Sequence, residues 1–467
     1  MQKFPFAKTA LFLGLALVLT LTGIRCTKGV PREAAEANRP VTLTWWRVFD
    51  DETAVRPIIE AYKTLHPNVT IVYRKLRFDE YERELLNALA EDRGPDILSL
   101  HNTWVRGYAS KLSPLPPTLT LPFQSVEGRL KKEVVVTLKT SPTISARALK
   151  NNFVDVVASD VIIPATSSEG QVTENIYALP LALDTLVLYA NRDLLNLAGI
   201  PQVPKTWGEL QGAVKKLTRF DTQGGLLQSG AALGTSKNVE RAADILALLM
   251  MQNGTEMLDL SGNAAFHRVP QILSGSGTLP GPEALTFYTD FANPNKEVYT
   301  WSAELPGSFE AFVAGRTALF FGYGYHLPLL KVRAPRMNLA IAQVPQIEGN
   351  PEVNFANYWV EAVSRKSPNA HWAWDFLQFA AGPDQIIQYL ETTQKPTALR
   401  ALINRQLEKE TTSAFAAQVL TAKSWYKGRD SQAAEQALLN AIDQTLAGGE
   451  AREILNATAT RVNQTLR

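Results

Sequence analysis

Cysteine is almost missing from this chain: of 467 residues only Cys26 carries a thiol. A disulfide within the chain is therefore excluded. Histidine is scarce and dispersed, at positions 66, 101, 267, 326 and 371, with no two at metal-ligand spacing. There is no Gly-x-Ser-x-Gly elbow, no phosphate-cradling Gly-x4-Gly-Lys-Ser/Thr loop and no His-Glu-x-x-His pair. An excess of either charge is also lacking. Lysine and arginine number 47 against 45 acidic residues, and removing Lys3, Lys8 and Arg25 leaves 44 against 45. That balance argues against a nucleic-acid or polyanion binder acting through bulk charge. No internal repeat or low-complexity tract interrupts the chain.

What is present is an ordinary globular composition, 45% hydrophobic and 20% charged. The length exceeds the roughly 250–300 residues at which one core stops growing, so two lobes are expected. The first 26 residues read as a targeting segment. Lys3 and Lys8 precede or flank the apolar core Leu11–Leu21, which has signal-peptide length and is short for a spanning helix. Cys26 follows, placed as the acceptor of a bacterial lipoprotein would be, although Arg25 before it departs from the usual small residue. Residues 27–40 (TKGVPREAAEANRP) are polar and small and read as a tether.

The fold is expected to begin at Val41-Thr42-Leu43-Thr44-Trp45-Trp46, which alternates as a strand does. A helix over 53–65, a strand at 69–73, a helix over 79–90 and a strand at 96–100 follow. Such alternation predicts a mostly parallel sheet faced by helices. Residues 112–175, with Pro114, Pro116, Pro117 and Pro122, read as an elaboration of the first lobe. Further on, Tyr177–Leu210 (YALPLALDTLVLYANRDLLNLAGIPQVPKTWGEL) contains a break at Pro180 and a buried strand at 186–189. A helix ending at Gly199 comes next, and then one capped by Thr206 with Glu209 completing a capping box. Helices are expected over 239–253, 283–291 and 369–381, the last capped by Ser367, and in the tail from Gln432. A strand is expected at 338–345.

The order of residues in Tyr177–Leu210 resembles the mid-chain signature of family 1 extracellular solute-binding proteins, the maltose-binding-protein-like receptors of ABC importers. The pattern is Tyr-x-Leu-Pro-x, an acidic residue, a Tyr-Asn pair (here split by Ala190), Ala-Gly, then Pro-x-Thr-Trp-x-Glu-Leu. Ser308–Gly322 and Val360–Ala381 add weaker blocks in the same order. The resemblance implies an α/β, two-lobed, class II periplasmic-binding-protein-like fold, with crossovers near Asp184, Gly322 and Tyr358. It groups 41–184 with 322–358 as one lobe and 185–321 with 359–467 as the other.

Aromatic residues gather at the ends of the expected elements: Trp45, Trp46, Trp104, Tyr323, Tyr325, Trp359 and Trp425. In parallel sheets ligands bind beyond the carboxyl ends of the strands, and flat aromatic faces suit the apolar side of a sugar ring. The bland alternative for each is core packing, to which Trp207, Trp372 and Trp374 are assigned. Asp184 sits between apolar stretches, where an unpaired charge is costly. The resemblance places it on sugar hydroxyls, and a hinge hydrogen bond is the alternative. The same resemblance makes Arg47, Asp50, Asn102 (with His101 beside it) and Glu310 ligand candidates. It implies no catalytic residue, cofactor, metal or nucleic acid. It implies a monomer that takes a small ligand, a saccharide or related polyol, to an ABC permease, held to the outer face of the cytoplasmic membrane by a lipid on Cys26. The rival is a secreted carbohydrate-active enzyme, for which Asp50-Asp51 would be the carboxylate pair. A surface module that has lost binding is a third reading.

Overall fold

The computed structural model describes residues 32–127, 133–166, 169–275 and 277–467. The targeting segment and Cys26 lie outside the described residues. The described residues fall into two compact units, one within 32–40 and 120–140 and the other within 41–119 and 141–467.

In the first unit, Arg32–Ala37 is a helix rather than structureless tether. Its other part is most of a two-stranded ribbon built from Thr118–Glu127 and Glu133–Pro142. Pro122 is tolerated there because each strand of a two-stranded ribbon has one free edge. Thr120 and Thr140 hydrogen-bond across it at 2.8 Å, and Gln124 Nε2 donates to Asn38 Oδ1 at 3.0 Å.

The second unit contains two five-stranded mixed sheets. The first has the order Val69–Leu76, Val41–Val48, Ile97–His101, Trp359–Val363, Ala178–Pro180. Its first three strands are parallel, and Trp359–Val363 runs antiparallel to both neighbours. The parallel part follows from the opening strand–helix alternation, whose helices are Glu52–Leu65 and Phe78–Ala90. The second sheet has the order Arg219–Phe220, Leu226–Ala231, Thr317–Gly322, Val187–Asn191, Leu339–Gln343. Its core gathers Trp207, Phe266, Tyr288, Trp301 and Phe321 with the tail helices Ser431–Leu446 and Ala451–Thr465.

Hydrogen bonding distributes the chain differently from the lobe grouping expected above. Thr317–Gly322 and Leu339–Gln343 belong to the second sheet, so most of 322–358 does not join the first. Trp359–Val363 belongs to the first sheet, and helix Pro383–Thr393 packs against Glu52–Leu65 there. The chain returns to the second at helix Ser413–Gln418, where Phe415 packs with Val187, Tyr189 and Phe320. Distant strand pairing, which leaves no local trace in sequence, decides this.

Local signals fare better. Gly199 takes φ +69° where the helix Arg192–Leu197 stops. Thr206 Oγ1 accepts the Glu209 N–H at 3.2 Å, while Glu209 Oε2 reaches back to the Lys205 N–H at 2.7 Å, one residue before the usual capping-box partner. The expected Ser367 cap is not borne out: Ser367 Oγ accepts the Asn369 N–H in a local turn, while the helix starts at Ala370 with Asn369 at its N-cap. Trp207, Trp372 and Trp374 are buried.

Candidate functional site

The three parallel strands of the first sheet each deliver an aromatic residue just past their carboxyl ends. Phe49 follows Val41–Val48, Phe78 follows Val69–Leu76 and Trp104 follows Ile97–His101. The antiparallel strand adds Trp359, which lies opposite His101 in register. Phe49 stacks on Phe78 with centroids 5.6 Å apart and meets Trp359 edge-on at 5.6 Å. Trp104 meets Trp359 edge-on at 5.4 Å. Phe49 is 48% exposed and Phe78 59%, while Trp104 and Trp359 are half-buried. Phe49 also holds φ at +67°. A non-glycine residue there costs of order 1–3 kcal/mol, and such strain concentrates at functional sites. An exposed aromatic group held in a strained turn is poor packing but a good platform.

A second wall comes from the second sheet. Beyond Thr317–Gly322, Tyr323 is buried and donates to Asp244 Oδ2 at 2.6 Å. Tyr325 stacks on it at 6.1 Å and is 44% exposed. Asp244 also accepts two bonds from Arg241, each 2.9 Å, and Arg241 continues to Glu435 at 3.1 Å. Arg241 is another strained residue, φ +57°, immediately before helix Ala242–Gln252. Burial alone would raise the Asp244 carboxyl, but Arg241 and its hydrogen bonds hold it below its ordinary value.

Asp184 stands at the crossover between the sheets. Its Oδ2 accepts the Gly324 N–H at 2.8 Å, and Oδ1 accepts the Thr185 N–H at 2.9 Å. A Cβ on residue 324 would lie 3.1 Å from that carboxylate, so glycine permits the approach. Burial pushes its pKa up to about 7 despite these bonds. The observed contacts are hinge bonds, the alternative expected for this residue.

Other candidates are spent elsewhere. Trp45 is fully buried, edge-on to Tyr73 and Phe376, with Nε1 donating to Glu361 Oε2 at 2.7 Å. Trp46 faces the other side of the sheet under the Arg74 guanidinium, 4.6 Å from its ring. Arg47 is buried between Glu361 (2.9 Å) and Asp50 (3.2 Å). Asp50 in turn takes Lys395 at 2.6 Å and the Tyr389 hydroxyl at 2.8 Å. Two cations and two anions thus close on one another beneath the platform. Burial opposes the charge on Asp50, and Arg47 with Lys395 overcomes it, keeping the carboxyl below its ordinary range. A general acid needs the reverse shift. Asp51 is exposed and pairs with Lys75, apart from the buried Asp50 network.

Asn102 is buried and donates to Asp160 Oδ2 at 3.0 Å, and the Tyr358 hydroxyl bonds the same oxygen at 2.8 Å. Glu310 is an exposed partner of Arg333 on helix Ser308–Val313. Trp425 packs on Phe266 and Tyr426 beside the second core. Of the residues expected from sequence, then, the structure gathers Trp104, Trp359, Asp184, Tyr323, Tyr325 and, beneath them, Asn102. It leaves Trp45, Trp46, Arg47, Asp50, Glu310 and Trp425 in packing or ion pairs. Sequence reasoning missed Phe49 and Phe78. Their signal was being the first aromatic past each strand end rather than the last within it. Among the described residues no group of three His, Cys, Asp or Glu is placed to hold a metal ion, and no helix is long and apolar enough to cross a membrane.

Two sheets joined by crossover segments, with aromatic side chains at the strand ends, make a two-lobed fold of the kind that holds a ligand between its halves. The chain belongs to the bacterial extracellular solute-binding protein family, whose sequence profile matches residues 57–416. This bears out the resemblance read from Tyr177–Leu210. Among solved structures it is similar to the sugar-binding protein MalE from Xanthomonas citri, at 17% identity and TM-score 0.68, covering 91% of this chain and 97% of that one. The acarbose-binding GacH receptor of Streptomyces glaucescens matches at 18% and 0.66, over 91% and 98%. A solute-binding protein from Thermotoga lettingae bound to tagatose matches at 19% and 0.64, over 91% and 100%. At these identities the likeness shows the fold.

Proposed function

We propose that this solute-binding protein captures a saccharide and hands it to the membrane subunits of an ABC importer. The observation that carries the reading is the half-exposed aromatic group Phe49, Phe78, Trp104 and Trp359 at the carboxyl ends of the first sheet. Sugar rings would lie on these faces, Tyr325 would meet them from the second wall, and Asp184 would take hydroxyls. The sugar-bound neighbours support the same ligand class. Closure of the lobes on the ligand would shift a hinge equilibrium, with no covalent step. The rival hydrolase reading loses its carboxylate pair to ion pairing, and incubation with oligosaccharides separates the two, since a receptor returns its ligand unchanged. The protein would act as a monomer held at the membrane by a lipid on Cys26.

A thermal-shift screen over neutral mono- and oligosaccharides tests the assignment. A ligand at 100 times its dissociation constant adds about 2.7 kcal/mol of stability. If no sugar shifts the melting temperature or the tryptophan emission, the saccharide reading falls.

A further inference from the structure

Asn357 lies in the crossover segment between Asn354–Phe355 and Trp359–Val363, and its side chain touches both halves of the site. Its Nδ2 lies 3.2 Å from Asp244 Oδ2, and its Oδ1 lies 2.9 Å from His101 Nε2. The Asp244 carboxylate can only accept, so the amide must present its N–H₂ there and its oxygen to His101. His101 Nε2 therefore carries the proton. The ring is neutral, since burial lowers its pKa to about 4, so Nδ1 accepts from Thr103 Oγ1 at 2.8 Å. One unbroken donor chain then runs Thr103, His101, Asn357, Asp244.

Each end of that chain is attached to a wall of the site. The His101 ring packs against Trp359 at 5.8 Å and Trp104 at 6.3 Å. Asp244 holds Tyr323, on which Tyr325 stacks. The Asn357 N–H also donates to the Asp184 carbonyl at 3.0 Å, tying the two crossover segments together. We propose that Asn357 is a positioning residue that couples the lobe angle to the aromatic platform, so that breaking its side-chain bridge loosens the lobes and weakens ligand capture. The coupling rests on the receptor reading above, but its structural half can be tested without any ligand.

Asn357→Asp is the sharpest variant, because it sets a second acceptor-only carboxylate against Asp244. The charged groups near His101 are Arg241, Asp244 and Asp160, and the substitution leaves all three in place. Spin labels at Lys63→Cys and Lys216→Cys, on helices Glu52–Leu65 and Trp207–Leu217, report the distance between the two sheets' layers in the full chain carrying Cys26→Ser. The expected result is a longer, broader distance distribution for Asn357→Asp and His101→Leu without ligand. His101→Gln, which can still donate to the amide oxygen, should keep the wild-type distribution. Where maltotriose binds the wild type, Asn357→Asp should weaken it within the roughly 5- to 150-fold range of ordinary coupling. Should Asn357→Asp fail to fold, the His101→Leu and His101→Gln pair still decides the matter. A distribution unchanged in His101→Leu, or in a folded Asn357→Asp, overturns the proposal. Failure of maltotriose to bind wild type with the distance shifts intact counts against that sugar alone.

Discussion

The Phe78 ring lies nearly parallel to that of Phe49, tilted by 25° at 5.6 Å, and each keeps about half its surface in water. Two large apolar faces are thus left exposed side by side, one of them on a backbone held at φ +67°. A saccharide lying on the pair, as proposed above, would account for both.

Phe49→Gly separates packing from binding. Glycine adopts the left-handed region freely, which removes about 1–2 kcal/mol of backbone strain, while the ring proposed to meet the sugar is lost. The melting temperature of the ligand-free protein should hold or rise, and saccharide affinity measured by titration should fall at least several-fold. A clear drop in melting temperature with unchanged affinity would return Phe49 to the core.

Glu361 has no exposed surface and faces Arg47, Trp45 and Ser99 in the middle of the first sheet. Glu361→Leu should destabilise by about 3–5 kcal/mol, because Arg47 is left buried with less compensation. Glu310→Gln removes an exposed pair with Arg333 and should leave the denaturation midpoint unchanged. Equal effects from the two variants would contradict the description of the buried network.

Asp184 sets a pH dependence whose sign is fixed. Its folded pKa is raised to about 7 from an ordinary 3.8 by burial, so the folded state keeps a proton that the unfolded chain releases. The stabilising contribution is therefore complete below the unfolded value and is lost as pH climbs from about 4 through 7. Relative to Asp184→Asn, the wild type should lose stability over that window, as read from melting curves at matched ionic strength. A flat difference would show that the Gly324 and Thr185 N–H groups fully compensate for burial.

Lipid attachment at Cys26 predicts a mature chain that begins at that residue with acyl chains on it. Mass spectrometry of N-terminal peptides from membrane fractions should find that species, and Cys26→Ser should accumulate unprocessed. An intact N-terminus, or a mature chain that begins at another residue, would exclude the anchor without touching the receptor assignment.

The helices and their ends were legible because their causes are local. Gly199 stops one helix through its φ, and Thr206 caps the next through an oxygen three residues from its target. Asp184 was legible as a charge in an apolar setting, and Trp104 and Trp359 as aromatics at strand ends. Trp45 was not separable from them, since alternation says only that neighbours face opposite sides. Burial of Trp45 against Phe376 depends on a helix more than 300 residues away.

By itself the sequence determined the class of fold, the solute-binding family and the impossibility of a disulfide within the chain, because these rest on composition, periodicity and ordered short motifs. Only the tertiary structure decided which strands share a sheet and which aromatic faces stay in water. The same holds for Asn357, which alone could not be read as a bridge. Its partners His101 and Asp244 stand 256 and 113 residues away along the chain. A hydrogen bond of about 3 Å between such distant residues exists only once the whole backbone has closed around it.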